Sequence, residues 1–437
     1  MRFAIFTHVE HTERDGRYYA YAPYVREMNL WLKHVEEVKV VGTRRRGDLQ
    51  TGGLGGNGIA YEHSKLSFTE VPAFNLLNFL GAVKAIVKIP YIFFKMFGAM
   101  RRADHLHLRC PGNVGLLACI CQIFFPSKSK SAKYAGNWDP GAKQPLTYRF
   151  QKWLLSNTFL TRNMQVLVYG EWPDQSKNII PFFTASFSEK EKAEVSKKTF
   201  SEPFTFLFVG NLVEGKRPLE AVKLVQELIV NRRSAGGKFF ASLEIYGDGP
   251  ERNKLEKYVT EHELEDTVIL KGSRPLEELK EAYQKAHFVI LPSRSEGWPK
   301  AIAEGMFFGC IPIATPVSCV PWMLGGGSRG ILISREYLGV SRVESGEREV
   351  ESENQEPRAK NQDLLSSNMD KVELLLQDTQ EMKRMSEAAK KWSQQYTLER
   401  FEGAIQEVLL NSNKNRVAES GKLSPAPFRG RGKTGKE

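Results

Sequence analysis

From residue 204 onward the chain repeats one unit: a short β-branched or aromatic run, then a stretch with apolar residues at helical spacing. "FTFLFVG", "SLEIYGDG", "TVILKG", "HFVILPS" and "IPIATP" are the runs. Between them lie "RPLEAVKLVQELIVNRR", "PERNKLEKYVTEHEL", "PLEELKEAYQKA" and "PKAIAEGMFFG". Strands that each lead into a helix pair in parallel, and the sheet they form is covered on both faces. The first half alternates less regularly. "RFAIFTHV" and "EVKVVGT" flank a helix predicted over "YYAYAPYVREMNLWLKHV", and "DHLHLRCPG" and "MQVLVYGEWP" read as later strands. A chain of 437 residues exceeds one ordinary core, so the pattern implies two doubly wound α/β domains. The expected division is 1–170, a linker at 171–203, and a second domain at 204–380 with a solvated insertion at 341–362. Helices at 381–411 are expected to pack back towards the first domain, and 412–437 to form a disordered basic tail.

Composition narrows the class. Apolar content of 41% and charged content of 26% belong to a folded soluble chain. The five cysteines form no repeated C-x-x-C pair, which removes a structural zinc site. Their odd number, with no secretory leader in "MRFAIFTHVEH", points to reduced thiols and a cytoplasmic place. Residues 71–100 are greasy but interrupted by Lys84, Lys88, Pro90 and Lys95. No uncharged run of about 18 residues survives to span a bilayer. Buried helices are the preferred reading, and a helix lying on the inner face of a membrane is the second. The tail carries seven Lys or Arg against two Glu. A solvated end is the plainest account of it, ahead of anionic lipid. Nucleic acid is not expected, because Phe428 is its one aromatic. "GLGGNG" at 53–58 fits a dinucleotide fingerprint on paper, yet follows a polar stretch rather than a strand.

Ligands of doubly wound sheets lie beyond the carboxyl ends of the strands. Three such loops of the second half carry chemistry. In "FVGNLVEGKRP", Gly210 closes a strand and lets backbone approach a ligand, while Lys216 supplies a cation just before the helix opened by Pro218. In "IYGDGPE", Gly247 and Gly249 permit a tight turn, and turn chemistry alone accounts for them. In "SEGWPKAIAEG", a helix is predicted over 299–308, with Glu296 before it and Glu304 in its second turn. Solvated charges, or partners for Arg294 and Lys300, are the plain reading of this pair. Against it, small and apolar residues surround Glu304, so its carboxylate needs a hydrogen-bond donor such as a ribose diol. In the first half, Glu10, His8 and His11 follow the first strand. An acceptor-contacting loop is preferred there to a metal site.

"VGNLVEGKRP", "IYGDGP", "LKGSRPLEELKEAYQKAHFVILPSRSEGWPKAIAEGMFFGCIPIAT" and "RGILI" together resemble the retaining, nucleotide-sugar-dependent glycosyltransferases of family 4. The likeness runs over 204–335, and the two glutamates of "EGWPKAIAE" are its specific element. It implies the GT-B architecture, two Rossmann-like domains facing each other across a cleft. It implies a hexose-type sugar moving from a UDP- or GDP-sugar to a glycan, lipid-linked or protein-linked acceptor, with retained configuration and neither metal nor cofactor. Lys216 would then meet the donor diphosphate, Glu304 the ribose and Glu296 the transferred sugar. Gly210, Asn211, Arg217, Gly247, Gly272, Ser273, Gly297, Trp298, Pro299 and Lys300 would line the donor site. The chain departs from the family pattern in three places. Asn211 stands where an Arg is usual, with Arg217 as the candidate substitute. "HTERDGRYYA" offers Gly16 alone instead of paired glycines. "HLRCP" puts Arg109 where a histidine is usual, with His107 two residues before. Arg109 therefore joins Lys216 and Glu296 as a catalytic candidate, and His8, His11, Gly16 and His107 as cleft residues. No D-x-D pair, the usual metal anchor of the other major glycosyltransferase fold, occurs in the chain. Two other readings stay open. One is a catalytically silent, membrane-apposed interaction protein; the other is a nicotinamide oxidoreductase using Gly53 to Gly58.

Overall fold

The computed structural model describes residues 1–45, 58–74, 79–234, 239–334 and 369–420. The expected insertion at 341–362, the glycine run up to Asn57 and the tail beyond Ser420 lie outside these residues.

The first sheet comprises β1 (Arg2–Arg14), β2 (Arg17–Ala20), β3 (Glu37–Arg44), β4 (Ile59–Ala60) and β5 (Leu66–Glu70). β6 (His105–Cys110), β7 (Ser129–Tyr134), β8 (Met164–Tyr169) and β9 (Ile179–Phe182) complete it. Its parallel body runs β5-β3-β1-β6-β7-β8-β9, so chain order reverses between β1 and β6. Helices α1 (Ala22–Leu32), α2 (Phe79–Arg102), α3 (Asn113–Cys121) and α4 (Leu146–Ser156) belong to this domain. The second sheet takes β10 (Phe204–Val209), β11 (Ala241–Tyr246), β12 (Val268–Gly272), β13 (Phe288–Leu291), β14 (Ile311–Ala314) and β15 (Ile331–Leu332). It is parallel throughout in the order β12-β11-β10-β13-β14-β15, with its reversal between β10 and β13. Between these strands run α5 (Pro218–Ser234), α6 (Arg252–Glu261), α7 (Leu276–Lys285), α8 (Lys300–Phe307) and α9 (Val320–Met323). Both halves are thus doubly wound, and each offers a crevice where its strand order turns back. The strands β13 and β14 are buried along their whole length, as parallel strands covered on two faces must be.

Three differences from the sequence reading concern the first half. β1 does not stop near Val9. It shifts register between Phe6 and Glu10, continues to Arg14, and turns at Asp15 and Gly16 into antiparallel β2. Tyr18 to Ala20 are therefore strand, and Pro23 falls in the first turn of α1. β9 carries the first sheet past residue 170, so the crossing segment begins after Phe182. "IIPF" is too short, and too interrupted by Pro181, to announce itself as a strand.

After β15 the chain returns as α10 (369–377), α11 (Thr379–Ser393) and α12 (Leu398–Ser420). α11 lies on α8, where Ser393 Oγ donates to the Ala303 carbonyl at 2.6 Å and Ser386 Oγ to that of Gly309 at 2.6 Å. α12 crosses to the first domain. Its Glu402 meets Lys33 at 3.0 Å and His34 at 3.1 Å, and Gln165 donates to the Val408 carbonyl at 2.9 Å. It runs nine residues into the segment expected as tail, since no Gly or Pro interrupts "SNKNRVAES" before Gly421. One apolar core spans both domains, with Trp298 of the second packed on Tyr169 of the first, on Phe183 of the crossing segment and on Tyr396 beyond α11.

Candidate functional site

The crevice of the second sheet lies between β10 and β13, so the loops leaving those strands meet. Arg294 N donates to the Gly215 carbonyl at 2.9 Å, which fixes one loop on the other. Through this contact Lys216 Nζ reaches Glu296 Oε1 at 2.5 Å, although the two are eighty residues apart. Glu296 is 7% exposed, whereas Lys216 keeps part of its side chain in solvent. Arg217 is buried in a left-handed conformation at φ 54, and desolvation, then the neighbouring Arg294 charge, lowers its pKa. The loop after β11 locks onto the same framework by backbone alone. Gly210 N donates to the Tyr246 carbonyl and Leu212 N to that of Asp248, both at 2.9 Å. A Cβ on Gly247 would lie 1.8 Å from the Gly210 carbonyl oxygen. Gly247 is there because two backbone segments touch, which is more than turn chemistry asks. Gly272 closes the edge strand β12, its carbonyl accepting from Gly247 N at 2.9 Å, and Ser273 beside it is exposed.

The second acid sits deeper. Glu304 is 9% exposed on α8, and both its oxygens are engaged by protein: Ser186 Oγ donates to Oε1 at 2.6 Å and Tyr283 OH to Oε2 at 3.1 Å. Burial first, then the Glu304 charge, pushes the Tyr283 phenol well up, so it keeps its proton and donates. The need for an outside donor is thus met from within the fold, by side chains remote in sequence. Each carboxylate oxygen still has a second lone pair. Pro299 is the N-cap rather than the first helical residue, which leaves Lys300 to open α8. Burial lowers the Lys300 pKa, while Glu304 and, across the cleft, Glu27 act to raise it. Gly297 abuts the first domain, where a Cβ would fall 2.4 Å from the Ala135 carbonyl oxygen. Trp298 is buried among interdomain rings, so it braces the two halves.

On the facing side, the ends of β6 and β7 hold a buried ion cluster. Lys133 Nζ lies 2.8 Å and Arg109 NH1 3.3 Å from the same oxygen of Glu27 on α1. Rings wrap Lys133: Tyr169, Phe182 and Phe401 each stand 5.0–5.3 Å from its ammonium. Burial, only partly offset by Glu27, lowers the Lys133 pKa to about 8. Burial alone would push the Glu27 carboxyl up, but Lys133 and Arg109 together hold it below the ordinary value. Arg109 is committed to Glu27 and to the face of Tyr24, 5.3 Å away. His8, at the register shift of β1, borders this cluster. Partial desolvation, with the Arg109 charge second, lowers the pKa of this exposed imidazole.

Three expected cleft residues stand elsewhere. His11 is fully buried, its Nε2 2.8 Å from the Tyr61 hydroxyl and its ring between Tyr61 and Phe68. The continuation of β1 carried it past the strand end where a loop was expected. Gly16 marks the tip of the β1–β2 turn. His107 points into the core, stacked on Phe3 and 2.9 Å from Ser131 Oγ, because alternate residues of β6 share one buried face. Sequence reasoning missed Glu27, Lys133, Ser186 and Tyr283. Two of them left a trace: Glu27 is a lone acid in the apolar "YVREMNLWL", and Lys133 belongs to "SKSAKY", which is buried throughout.

Residues 189–338 match the family model described as glycosyl transferases group 1. A D-inositol 3-phosphate glycosyltransferase of Acidothermus cellulolyticus is 27% identical over 190 residues, 41% of this chain and 42% of that protein. A GDP-mannose:cellobiosyl-diphosphopolyprenol alpha-mannosyltransferase of Xanthomonas oryzae pv. oryzae is 26% identical over 132 residues, 30% of this chain and 34% of that one. The chain therefore spans well under half the length of the curated relatives it matches. Among solved structures, sucrose-phosphate synthase from Thermosynechococcus elongatus superposes with a TM-score of 0.56 at 17% identity, covering 96% of this chain and 100% of its own. Likeness at that identity speaks to fold alone. The architecture is GT-B, two facing Rossmann-like domains, and the second of them is similar in sequence to the glycosyl transferases group 1.

Proposed function

We propose that the chain is a glycosyltransferase that moves a hexose-type sugar from a UDP- or GDP-sugar to a glycan, lipid-linked or protein-linked acceptor, with retention of anomeric configuration. One observation carries the reading: Lys216 and Glu296, from loops eighty residues apart, are joined at the crevice of the second sheet. A cation beside an acceptor-only carboxylate suits a donor whose diphosphate is anionic and whose sugar offers hydroxyls. In this reading Lys216 and Arg217 offset charge on the leaving diphosphate, with Asn211 contributing its backbone amide. Glu296 accepts hydroxyls of the transferred sugar, and Glu304 accepts a ribose hydroxyl on its remaining lone pairs. With no D-x-D pair in the chain, protein cations do the work that a bound divalent ion does in the other fold. Arg109 acts as a positioning residue, keeping the acceptor side of the cleft positive beside His8. One relative's name speaks of a diphosphopolyprenol, which favours a lipid-linked acceptor. A cytoplasmic place fits five cysteines that are all free and buried.

The test is a panel of UDP- and GDP-sugars scored by thermal shift, followed by nucleotide release from the donor that binds. Lys216→Ala should lower kcat by about 100-fold or more, the scale seen when one charge-stabilising group is removed. Glu296→Gln should raise KM as well as lower kcat. NMR of slow donor hydrolysis should show the donor's own anomer first. A chain that neither binds nor cleaves any nucleotide sugar, under conditions where it melts cooperatively, is not a transferase.

A further inference from the structure

The first domain has an outer face that sugar transfer does not use. α3 packs between α2 and α4, and the three form one layer over the sheet through Met96, Met100, Leu117 and Leu155. The outer side of this layer is not polar. Of fourteen exposed large apolar side chains among the described residues, eight lie between residues 87 and 159. Phe94 is 74% exposed on α2 and Leu146 77% on α4, where Phe150 also stacks on Trp153 at 5.6 Å. Soluble surfaces scatter such residues singly; a layer that gathers them marks an interaction site.

Charge points the same way, independently. Residues 71–170 contain thirteen Lys or Arg and two Asp; Lys130 and Lys133 are buried and Arg109 is paired with Glu27 in the cleft, which leaves ten other cations. The tail carries fewer. The two acids are spoken for, Asp104 by Arg2 at 3.0 Å and Asp139 by the amide of Gly141 at 2.8 Å. Lys88, Arg101 and Arg102 are exposed on α2, Lys143 and Arg149 before and on α4, and Arg162 lies over the Phe159 ring at 4.8 Å. A cavity of about 570 Å³ opens between α2 and the starts of β1 and β3, with Phe94 in its lining. Lys39, Lys65, Lys95 and Arg102 line it with one acid, Glu37, and Arg2, paired with Asp104, completes the lining. No helix among the described residues is long and apolar enough to cross a membrane, and α2 has one face in the core.

We propose that the α2–α4 face docks on an anionic lipid surface: Phe94 and Trp153 enter the acyl boundary, the cations lie at headgroup level, and a lipid phosphate enters the cavity. Apolar insertion and headgroup attraction then act together, the combination that holds peripheral proteins on membranes. The inference does not depend on the transferase reading, and its test does not measure sugar transfer.

The full chain is floated with phosphatidylcholine vesicles that contain or lack phosphatidylglycerol. Binding should require phosphatidylglycerol, weaken with salt, and fall about tenfold or more when Phe94→Glu and Trp153→Glu are combined. Thermal melting of the variant, with Phe94→Ser as a milder second variant, shows that the fold is kept. Binding absent from phosphatidylglycerol vesicles overturns the proposal. So does binding that both variants keep at full strength, since the basic tail would then carry it. A concentration-dependent dimer that the same substitutions abolish would also overturn it, because a second copy would be what covers this face.

Discussion

The two sides of the cleft are made by opposite means. On the second domain the loops are held backbone to backbone, glycine against carbonyl, and charge is added at the rim by Lys216 and Glu296. On the first domain the equivalent strand ends are held by charge itself, Glu27 with Arg109 and Lys133 in a nest of rings. One side is rigid mainly by shape. The other is rigid by electrostatics and answers to pH. A donor that must be gripped in one geometry suits the first kind of construction, and the side that faces the acceptor has the second.

The sharpest way to break this contrast is to add one carbon to each side. Gly247→Ala places a methyl where the Gly210 carbonyl already stands, in a conformation at φ 153 that side chains resist. Overpacking and backbone strain together should cost about 3 to 5 kcal/mol, read as a lower denaturation midpoint that is the same at every pH. Gly16→Ala, at a tip with open space around it, should cost far less. Next in size is Glu27→Gln. It leaves Arg109 and Lys133 buried without their shared carboxylate, and should cost about 3 kcal/mol, with the loss easing as pH rises. Equal pH profiles for Gly247→Ala and Glu27→Gln would erase the distinction drawn here.

The same contrast explains what could be read from the residues. In the second half every strand and helix between β10 and β14 is announced by its own pattern, and the loops that matter contain Gly, Pro, Lys and Glu in a telling order. Backbone-built sites are local, so their signals are local. The first domain's cleft side is assembled from α1, β6 and β7, whose partners are 24 to 106 residues apart in the chain. Nothing near Glu27 says that Lys133 will neutralise it. His11 misled for a related reason: a polar residue just past an apolar run looks like a loop residue until the strand is seen to continue; His107 lies in a strand that the residues do announce, but not the face it takes. Glu304 is an intermediate case. Its burial was legible from "AIAEGMFFG", yet Tyr283 and Ser186, the donors that satisfy it, lie on a different helix and on the crossing segment.

A pH titration of stability sharpens the comparison at a smaller scale. The folded-state pKa of Lys133 is lowered to about 8, below its ordinary value, so between those two values the unfolded chain binds more protons. Stability should therefore rise with pH through that window, and below about pH 8 the penalty for a buried ammonium is fully present. Lys152, also lowered to about 8 by burial, contributes in the same direction. Lys133→Met should flatten part of the rise in melting temperature between pH 7.5 and 9.5, by about 3 °C. Gly247→Ala, on the backbone-built side, should leave the rise as it is.

The smallest expected effect tests how Glu304 is held. Tyr283→Phe removes one donor from a carboxylate that keeps Ser186, and should cost about 1 kcal/mol in stability. Its effect on donor affinity is the informative reading. If the carboxylate serves only to fasten α7 and the crossing segment to α8, removing Tyr283 loosens the fold and leaves nucleotide-sugar Kd unchanged. If Glu304 also receives a ribose hydroxyl, freeing Oε2 alters that second bond too. Kd for the UDP- or GDP-sugar then shifts measurably while Kd for the phosphate end alone, probed with inorganic diphosphate, does not. Glu304→Gln supplies the control, since it keeps the shape but turns an acceptor into a donor facing the Tyr283 hydroxyl. A variant pair that changes melting temperature and nothing else would reduce Glu304 to a strut, and would leave Lys216 and Glu296 as the whole of the second domain's chemistry.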